Sequence, residues 1–244
     1  MLSKKADVIV VDAGNTRIKV AAFLDDQIIR LDYFQVNQNQ AFYQFLALFE
    51  DAPIFVSSVL SDDDLNHFLG NEKKYLLFSR NLNLPIKIAY DSPQTLGLDR
   101  LANAAAIQIL QPEGNKVAID LGTCIKFDFV NENGAYLGGS ISPGLTMRYE
   151  ALNHFTGKLP LLHAHQPDTI IGTNTHDSIH SGVMLGMKGE ISQFMERYSQ
   201  DYQGLTFFVT GGDMKYFEFP SKNNIFAHEN LTLFGLNYIY KRNG

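Results

Sequence analysis

The sequence predicts an α/β protein of two like-built lobes, each a mixed sheet with helices packed on it. Three observations support this. The stretch "VIVVDAGNTRIKVAAF" from Val8 is answered by "VAIDLGTCIKFDFV" from Val117. Both run apolar, reach an Asp, continue through Gly and Thr, and return to apolar residues with an Ile-Lys pair, Ile18-Lys19 and Ile125-Lys126. Second, the order of strand-like and helix-like patterns restarts after Gln111–Asn115. Third, 244 residues at 45% hydrophobic and 19% charged form an ordinary globular composition with enough apolar side chain for a large core. The boundary is placed at Pro112, giving lobes over 1–112 and 113–244.

In the first lobe "DVIVVD", "IKVAAFL" and "IIRLDYFQV" read as three strands. Their links, "AGNTR" and "DDQ", are short enough to be antiparallel hairpins. "QNQAFYQFLALFED" places Phe42, Phe45, Leu46 and Phe49 on one helical stripe. "PIFVSSV" is a strand, and "SDDDLNHFL" opens on acidic capping residues and is a helix. "PIKIAYDSP" is a strand running into a loop. "DRLANAAAIQILQP" is an Ala- and Leu-rich helix stopped by Pro112.

The second lobe repeats the plan. "KVAIDLG", "IKFDFVNENG" and "AYLGGSIS" form a three-strand meander with a turn at Asn131–Gly134. A helix follows over about 145–155, then the loop "HAHQPDTIIG" and a long helix, "THDSIHSGVMLGMKGEISQFMERYS". "LTFFVTGGD" is a strand ending in paired glycines, and "ENLTLFGLNYIYKR" is a closing helix. No linker or low-complexity segment interrupts the chain.

Charge and composition exclude several classes. A net charge of −6 gives no nucleic-acid footprint. One cysteine, Cys124, allows no internal disulfide and suits a reducing compartment. The apolar run after the first lysines is too short for a signal peptide, and no run approaches the roughly 20 residues of a membrane helix. The expectation is a soluble cytoplasmic protein with neither a nucleic acid nor a membrane as partner.

The two hairpins carry the chemistry. Gly brings backbone close to an oxyanion. Thr, Asn and the turn N–H groups donate to phosphate. An Asp at the strand end can hold Mg²⁺, often through water, or a monovalent cation. Two such hairpins across a cleft would clamp a triphosphate. Competing nucleotide signatures are absent: there is no G-x-x-x-x-G-K-[ST] and no G-x-G-x-x-G after a strand. "GGSIS" misses the nucleophile elbow of serine hydrolases at its last position.

With "TGGD" added, the duplicated hairpin resembles the actin, sugar-kinase and heat-shock ATPase superfold, which implies duplicated ribonuclease H-like lobes with a nucleotide cleft between them. Within it the chain is similar to the type III pantothenate kinases. "DAGNTRIK" (Asp12–Lys19) resembles their first phosphate motif, "GLDR" (Gly97–Arg100) their G-x-D-R motif, and "DLGT" (Asp120–Thr123) their second phosphate motif. "GGSISPG" (Gly138–Gly144), "GTNT" (Gly172–Thr175) and "TGGD" (Thr210–Asp213) complete the order. The family usually places a small residue and then a hydroxyl after the second phosphate Thr; here Cys124 and Lys126 stand there. Lys126 has two open readings, a phosphate contact or a solvent-facing side chain.

The resemblance implies ATP binding by Asp12, Ala13, Gly14, Asn15, Thr16, Arg17, Ile18 and Lys19, with Thr123, and with Gly211 and Gly212 against the adenosine. It implies Mg²⁺ at Asp12, directly or through water, and a monovalent cation, K⁺ or NH₄⁺, at Asp120. Asp99 by position alone is a helix cap or a base; the family makes it the general base. Arg100 is a surface charge or a bidentate partner for a substrate carboxylate. Tyr90 is a core or rim aromatic by itself, and the family gives it a substrate contact along with Gly97, Leu98, Asp99 and Arg100. Thr175 either caps its helix or, as the family implies, closes the substrate pocket across a homodimer interface.

His176 and His180 lie at i, i+4 without the Glu of a zincin or an evident third ligand. His163 and His165 read as solvated loop residues, and Cys124 as a small packed residue. The implied activity is ATP-dependent phosphorylation of pantothenate on its primary hydroxyl, giving 4'-phosphopantothenate in the first step of coenzyme A synthesis. The alternatives are another small-molecule kinase of the superfold, or a non-catalytic nucleotide-binding accessory protein.

Overall fold

The computed structural model describes residues 4–14, 17–70, 75–219 and 224–244. It divides into two compact units, Met1–Leu110 with Asn230–Gly244, and Gln111–Glu229.

The first unit starts with a meander: β1 (Val8–Ala13), β2 (Ile18–Leu24) and β3 (Gln27–Phe34), paired antiparallel in turn. β4 (Ile54–Ser58) then runs parallel to β1, and β5 (Tyr75–Leu77) parallel to β4. The strand order is β3-β2-β1-β4-β5. β1 is covered on both faces, which is why "VIVV" is apolar throughout rather than alternating. One face packs on α1 (Asn39–Leu46) and α2 (Asp62–Leu69), with Phe42 and Phe68 stacked at 4.5 Å. Ser61 caps α2 by accepting from the Asp64 N–H at 3.1 Å, and three aspartates in the first turn complement the helix dipole. A two-residue strand, β6 (Lys87–Ile88), leads by a short 3₁₀ turn to α3 (Leu98–Leu110), whose alanines at 102 and 104–106 are fully buried.

The second unit repeats the plan. β7 (Lys116–Leu121), β8 (Cys124–Val130) and β9 (Ala135–Pro143) form the meander, and β10 (Thr206–Thr210) runs parallel to both β7 and β11 (Ile225–Ala227). Within the second sheet, the run β9-β8-β7-β10-β11 repeats the order of the first sheet. α4 (Leu145–His154) and α5 (Thr175–Asp201) pack on one face. α5 buries Ile179, Val183, Met184, Met187 and Ile191, a stripe at helical spacing. Phe127 stacks on Phe194 at 4.6 Å.

The closing helix, α6 (Leu231–Lys241), departs from the boundary read in the sequence. It belongs with the first unit rather than ending the second. Its ties there are nonlocal: Phe234 meets Phe23 edge-on at 5.4 Å, and Lys241 pairs with Asp26 at 2.7 Å. Two expected elements are shorter than read. The helix from Gln38 ends at Leu46, with Ala47–Asp51 in turns, and the strand "PIKIAYDSP" is ordered as strand only over β6, which leaves Tyr90 in the following loop. Among the described residues no helix is long and apolar enough to cross a membrane.

Candidate active site

The second hairpin is the best defined. β7 ends on Asp120 and Leu121, Gly122 and Thr123 turn, and Cys124 begins β8. Two distant segments close on it. The Gly144 N–H donates to the Thr123 carbonyl at 3.0 Å, and a Cβ on Gly144 would fall 2.1 Å from the Gly122 carbonyl oxygen. From the other side, the Asp213 N–H donates to the Leu121 carbonyl at 2.9 Å. Gly211 there has φ +99°, and a Cβ on it would lie 2.2 Å from that same oxygen. Thus "DLGT", "GGSISPG" and "TGGD", which are far apart in sequence, meet at one point, and glycine is required where backbone touches backbone.

Lys126 is directly opposite Asp120 in the β7–β8 pairing. Its Nζ lies 2.8 Å from Asp120 Oδ2, and both side chains are mostly buried, 16% and 13% exposed. Lys126 therefore does not point to solvent. Cys124 is half-buried with its sulfur 3.9 Å from that of Met147, a packing contact.

The first hairpin is built alike. Asp12 is opposite Lys19, and Ala13 opposite Ile18. Asp12 and Ala13 also register with Ser57 and Ser58 of β4. Arg17 lies over the Tyr33 ring at 4.9 Å, a cation–π contact that holds the guanidinium beside the turn. Asn15 and Thr16 fall outside the described residues. A cleft of about 340 Å³ opens next to Gly14, Arg17 and Ile18. It is also lined by Gln35, Asn37 and His67, none of which the sequence signalled, because they come from the β3 exit and from α2.

The G-x-D-R segment forms the start of α3. Asp99 lies in the first turn, half-buried, and its Oδ1 accepts from the Arg100 N–H at 2.9 Å. A Cβ on Gly97 would approach that Oδ1 to 2.5 Å. The Arg80 guanidinium donates to the Leu96 carbonyl and steadies the loop that leads in. Arg100 is 5% exposed, so the surface-charge reading does not hold. Leu98 and Tyr90 are half-buried.

Thr175 is the first residue of α5 and exposed, but the cap is Asn174, whose side chain accepts from the Asp177 N–H at 3.0 Å. Thr175 lines a wide cleft of about 910 Å³ with Arg148, Phe155 and Ser178. Arg148 is fixed by Glu190, which also accepts from the Ser142 hydroxyl. Nothing in the sequence marked this trio, since it joins β9, α4 and α5. His180 does not pair with His176 around a metal; its Nδ1 is 2.9 Å from the Tyr149 hydroxyl. Burial first, then the nearby charges of His165 and His176, holds the His180 pKa below the ordinary histidine value. Among the described residues no group of three or more His, Cys, Asp or Glu is placed to hold a metal. The single carboxylate at the end of β1 suits a Mg²⁺ that arrives with phosphates, since such ions keep waters and need few protein ligands.

Comparison with known proteins agrees with this geometry. The sequence model of type III pantothenate kinase matches residues 8–197. The type III pantothenate kinase of Flavobacterium johnsoniae is 38% identical over 237 residues, covering 96% of this chain and 97% of the relative. That of Christiangramia forsetii is 38% identical over 240 residues, covering 96% and 98%. Among solved structures, a conserved Campylobacter jejuni protein of the Baf family superposes with a TM-score of 0.62 at 22% identity, covering 96% of this chain and 98% of that one. The activator of 2-hydroxyisocaproyl-CoA dehydratase from Clostridium difficile, solved with ADPNP, gives 0.50 at 10% identity, covering 96% and 95%. These two likenesses speak for the fold alone, the duplicated α/β plan described above. With the family match spanning both phosphate hairpins and the G-x-D-R segment, the chain belongs to the type III pantothenate kinase family.

Proposed function

We propose that the chain transfers the γ-phosphoryl group of ATP to the primary hydroxyl of pantothenate. The products are 4'-phosphopantothenate and ADP, and the step opens coenzyme A synthesis in the cytoplasm. The observation that carries this is the convergence of the "DLGT" turn, Gly144 and the "TGGD" loop through backbone contacts in a chain that matches the kinase family along its length.

In this reading each hairpin engages phosphate oxygens. Asp12, Ala13, Gly14, Asn15, Thr16, Arg17, Ile18 and Lys19 serve on one side, and Thr123 on the other, while Gly211 and Gly212 meet the adenosine. Asp99 positions the pantothenate hydroxyl and takes its proton as the oxygen–phosphorus bond forms and the ADP oxygen leaves in line. A carboxylate in the first turn of a rigid helix is held well for that task. Tyr90, Gly97, Leu98 and Arg100 shape the substrate pocket, with Arg100 matched to the pantothenate carboxylate. Asp12 would hold, directly or through water, a Mg²⁺ that arrives with the nucleotide, and such an ion would offset phosphate charge. A free K⁺ or NH₄⁺ at Asp120 is not carried over from the family, because Lys126 already pairs with that carboxylate.

A homodimer in which Thr175 of one subunit completes the pocket of the other is supported by the surface around Thr175. Phe155, which lines the same cleft as Thr175, is 82% exposed, and Ile170 and Ile171, a few residues before Thr175, are 78% and 74% exposed, large apolar side chains of the kind that partners cover. The test is ADP release with pantothenate against a panel of hexoses and N-acetylhexosamines. Turnover with pantothenate alone supports the reading; turnover with a sugar and not pantothenate moves the chain to another kinase of the fold, and none with either favours an accessory protein.

A further inference from the structure

The pairing of Lys126 with Asp120 departs from the cation chemistry expected of the family. Four facts define it. The two residues are direct cross-strand partners, so the contact is set by sheet register rather than by a wandering side chain. Nζ and Oδ2 are 2.8 Å apart, the distance of a charge-assisted hydrogen bond. Both side chains are more than four-fifths covered, which weakens competition from water and salt. The carboxylate stands at the start of the hairpin onto which Gly144 and the "TGGD" loop close, with Thr210 beside it on β10.

A monovalent ion at this carboxylate would have to share it with an ammonium held a bond's length away. Two like charges on one carboxylate repel, and the tethered one is always present. The ammonium is also a chemical counterpart of the ion it excludes. It carries one positive charge and three N–H donors on a flexible stem, as an alkylated NH₄⁺ does. It stands where the family's usual hydroxyl would leave room for an ion.

We infer that Lys126 is the resident cation of the Asp120 hairpin. Its ammonium supplies the single charge expected of K⁺ or NH₄⁺, and the protein needs neither. This deepens the kinase reading and rests on it. Lys126 is a positioning residue: it neutralises Asp120 and holds the hairpin, and no bond is made or broken at it.

The experiment compares wild type with Lys126→Thr and Lys126→Met. ADP release with saturating pantothenate is measured with tetramethylammonium as the only monovalent cation, then with Na⁺, K⁺ or NH₄⁺ at equal ionic strength. Melting temperature is followed in the same buffers. Wild type should turn over at one rate in all four salts, with no melting shift specific to K⁺. Lys126→Thr should slow by about 10- to 100-fold in tetramethylammonium, as expected for loss of one charge-assisted partner, and recover with K⁺ or NH₄⁺. It should also melt higher in K⁺ than in tetramethylammonium. Lys126→Met fills the same space without charge or hydroxyl, and should lose the rate with less recovery.

Wild-type activation by K⁺ or NH₄⁺ over tetramethylammonium overturns the inference whether or not the variants fold. So does a Lys126→Thr enzyme that stays fully active without either ion. If wild type phosphorylates no pantothenate in any salt, the kinase reading fails instead. The melting comparison then decides on Lys126 by itself: a K⁺-specific shift in wild type overturns it, and a shift confined to Lys126→Thr supports it.

Discussion

Gly211→Ala tests how the "TGGD" loop is held. The added Cβ would stand 2.2 Å from the Leu121 carbonyl oxygen, 2.5 Å from its carbon and 2.6 Å from its nitrogen. All three are backbone atoms in a paired strand, so no rotamer change relieves the clash. At φ +99° an L-residue also bears left-handed strain of about 1–2 kcal/mol. The simplest escape is for the loop to lift off the hairpin, which gives up the Asp213 N–H to Leu121 carbonyl bond, worth about 0.5–1.5 kcal/mol net. The combined cost is about 1.5–3.5 kcal/mol, which for a chain of this size lowers the melting temperature by about 3–14 °C. Because this loop is assigned to the adenosine, KM for ATP should rise about tenfold for each 1.4 kcal/mol withheld from binding, while KM for pantothenate changes little. Gly189→Ala is the control. That glycine is in the middle of α5 with nothing within 4 Å of an added Cβ, so alanine should stabilise by about 0.5–1 kcal/mol. A Gly211→Ala protein with unchanged melting temperature and ATP KM would refute the loop-on-hairpin arrangement.

Three further outcomes follow from the site. Asp99→Asn should fold and bind ATP while kcat falls by about 10²–10⁴-fold; near-normal kcat would remove Asp99 from the mechanism and leave it a structural residue in the first turn of α3. Thr175→Ala should raise KM for pantothenate more than KM for ATP, and mixing Asp99→Asn with Thr175→Arg subunits should restore activity if the pocket is shared. Failure to recover, with subunit exchange shown separately, argues for self-contained subunits. The His180 pKa is held down chiefly by burial. As pH falls below 6.5 the unfolded chain takes up a proton first, so this residue makes stability decline from there until the lowered folded value is reached. His180→Gln, which can still accept from Tyr149, should show a smaller loss of melting temperature between neutral and mildly acidic pH; an unchanged pH slope would exclude His180 as a contributor.

The elements visible in the sequence are those whose burial is set by local pattern. β1 opens on a continuous apolar run because both of its sheet faces are covered, α3 is Ala- and Leu-rich because it is buried all round, and α5 carries a long periodic stripe. β5 and β11 were missed: each has three residues and is a strand only because β4 or β10 lies alongside it. The place of α6 was misread for a similar reason, since its partners Phe23 and Asp26 are some two hundred residues earlier. At the second turn, the glycines of "GGSISPG" and "TGGD" were legible in the sequence as glycine-rich runs, and the structure uses Gly144 and Gly211 for close backbone approach. The Asp120–Lys126 pair was not, because cross-strand register alone brings a lysine six positions on back to the carboxylate. Arg148, Ser142 and Glu190 come together only through tertiary packing.

The reaction proposed above is phosphorylation of pantothenate with Asp99 as the base. The most direct measurement is steady-state ADP release with ATP, Mg²⁺ and pantothenate, with the product's phosphate position read by ³¹P and ¹H NMR, for wild type beside Asp99→Asn. The expected result is stoichiometric phosphopantothenate carrying the phosphate on the primary hydroxyl, and turnover that nearly vanishes in the variant. ADP formed without phosphopantothenate, or equal rates in the two proteins, would contradict it.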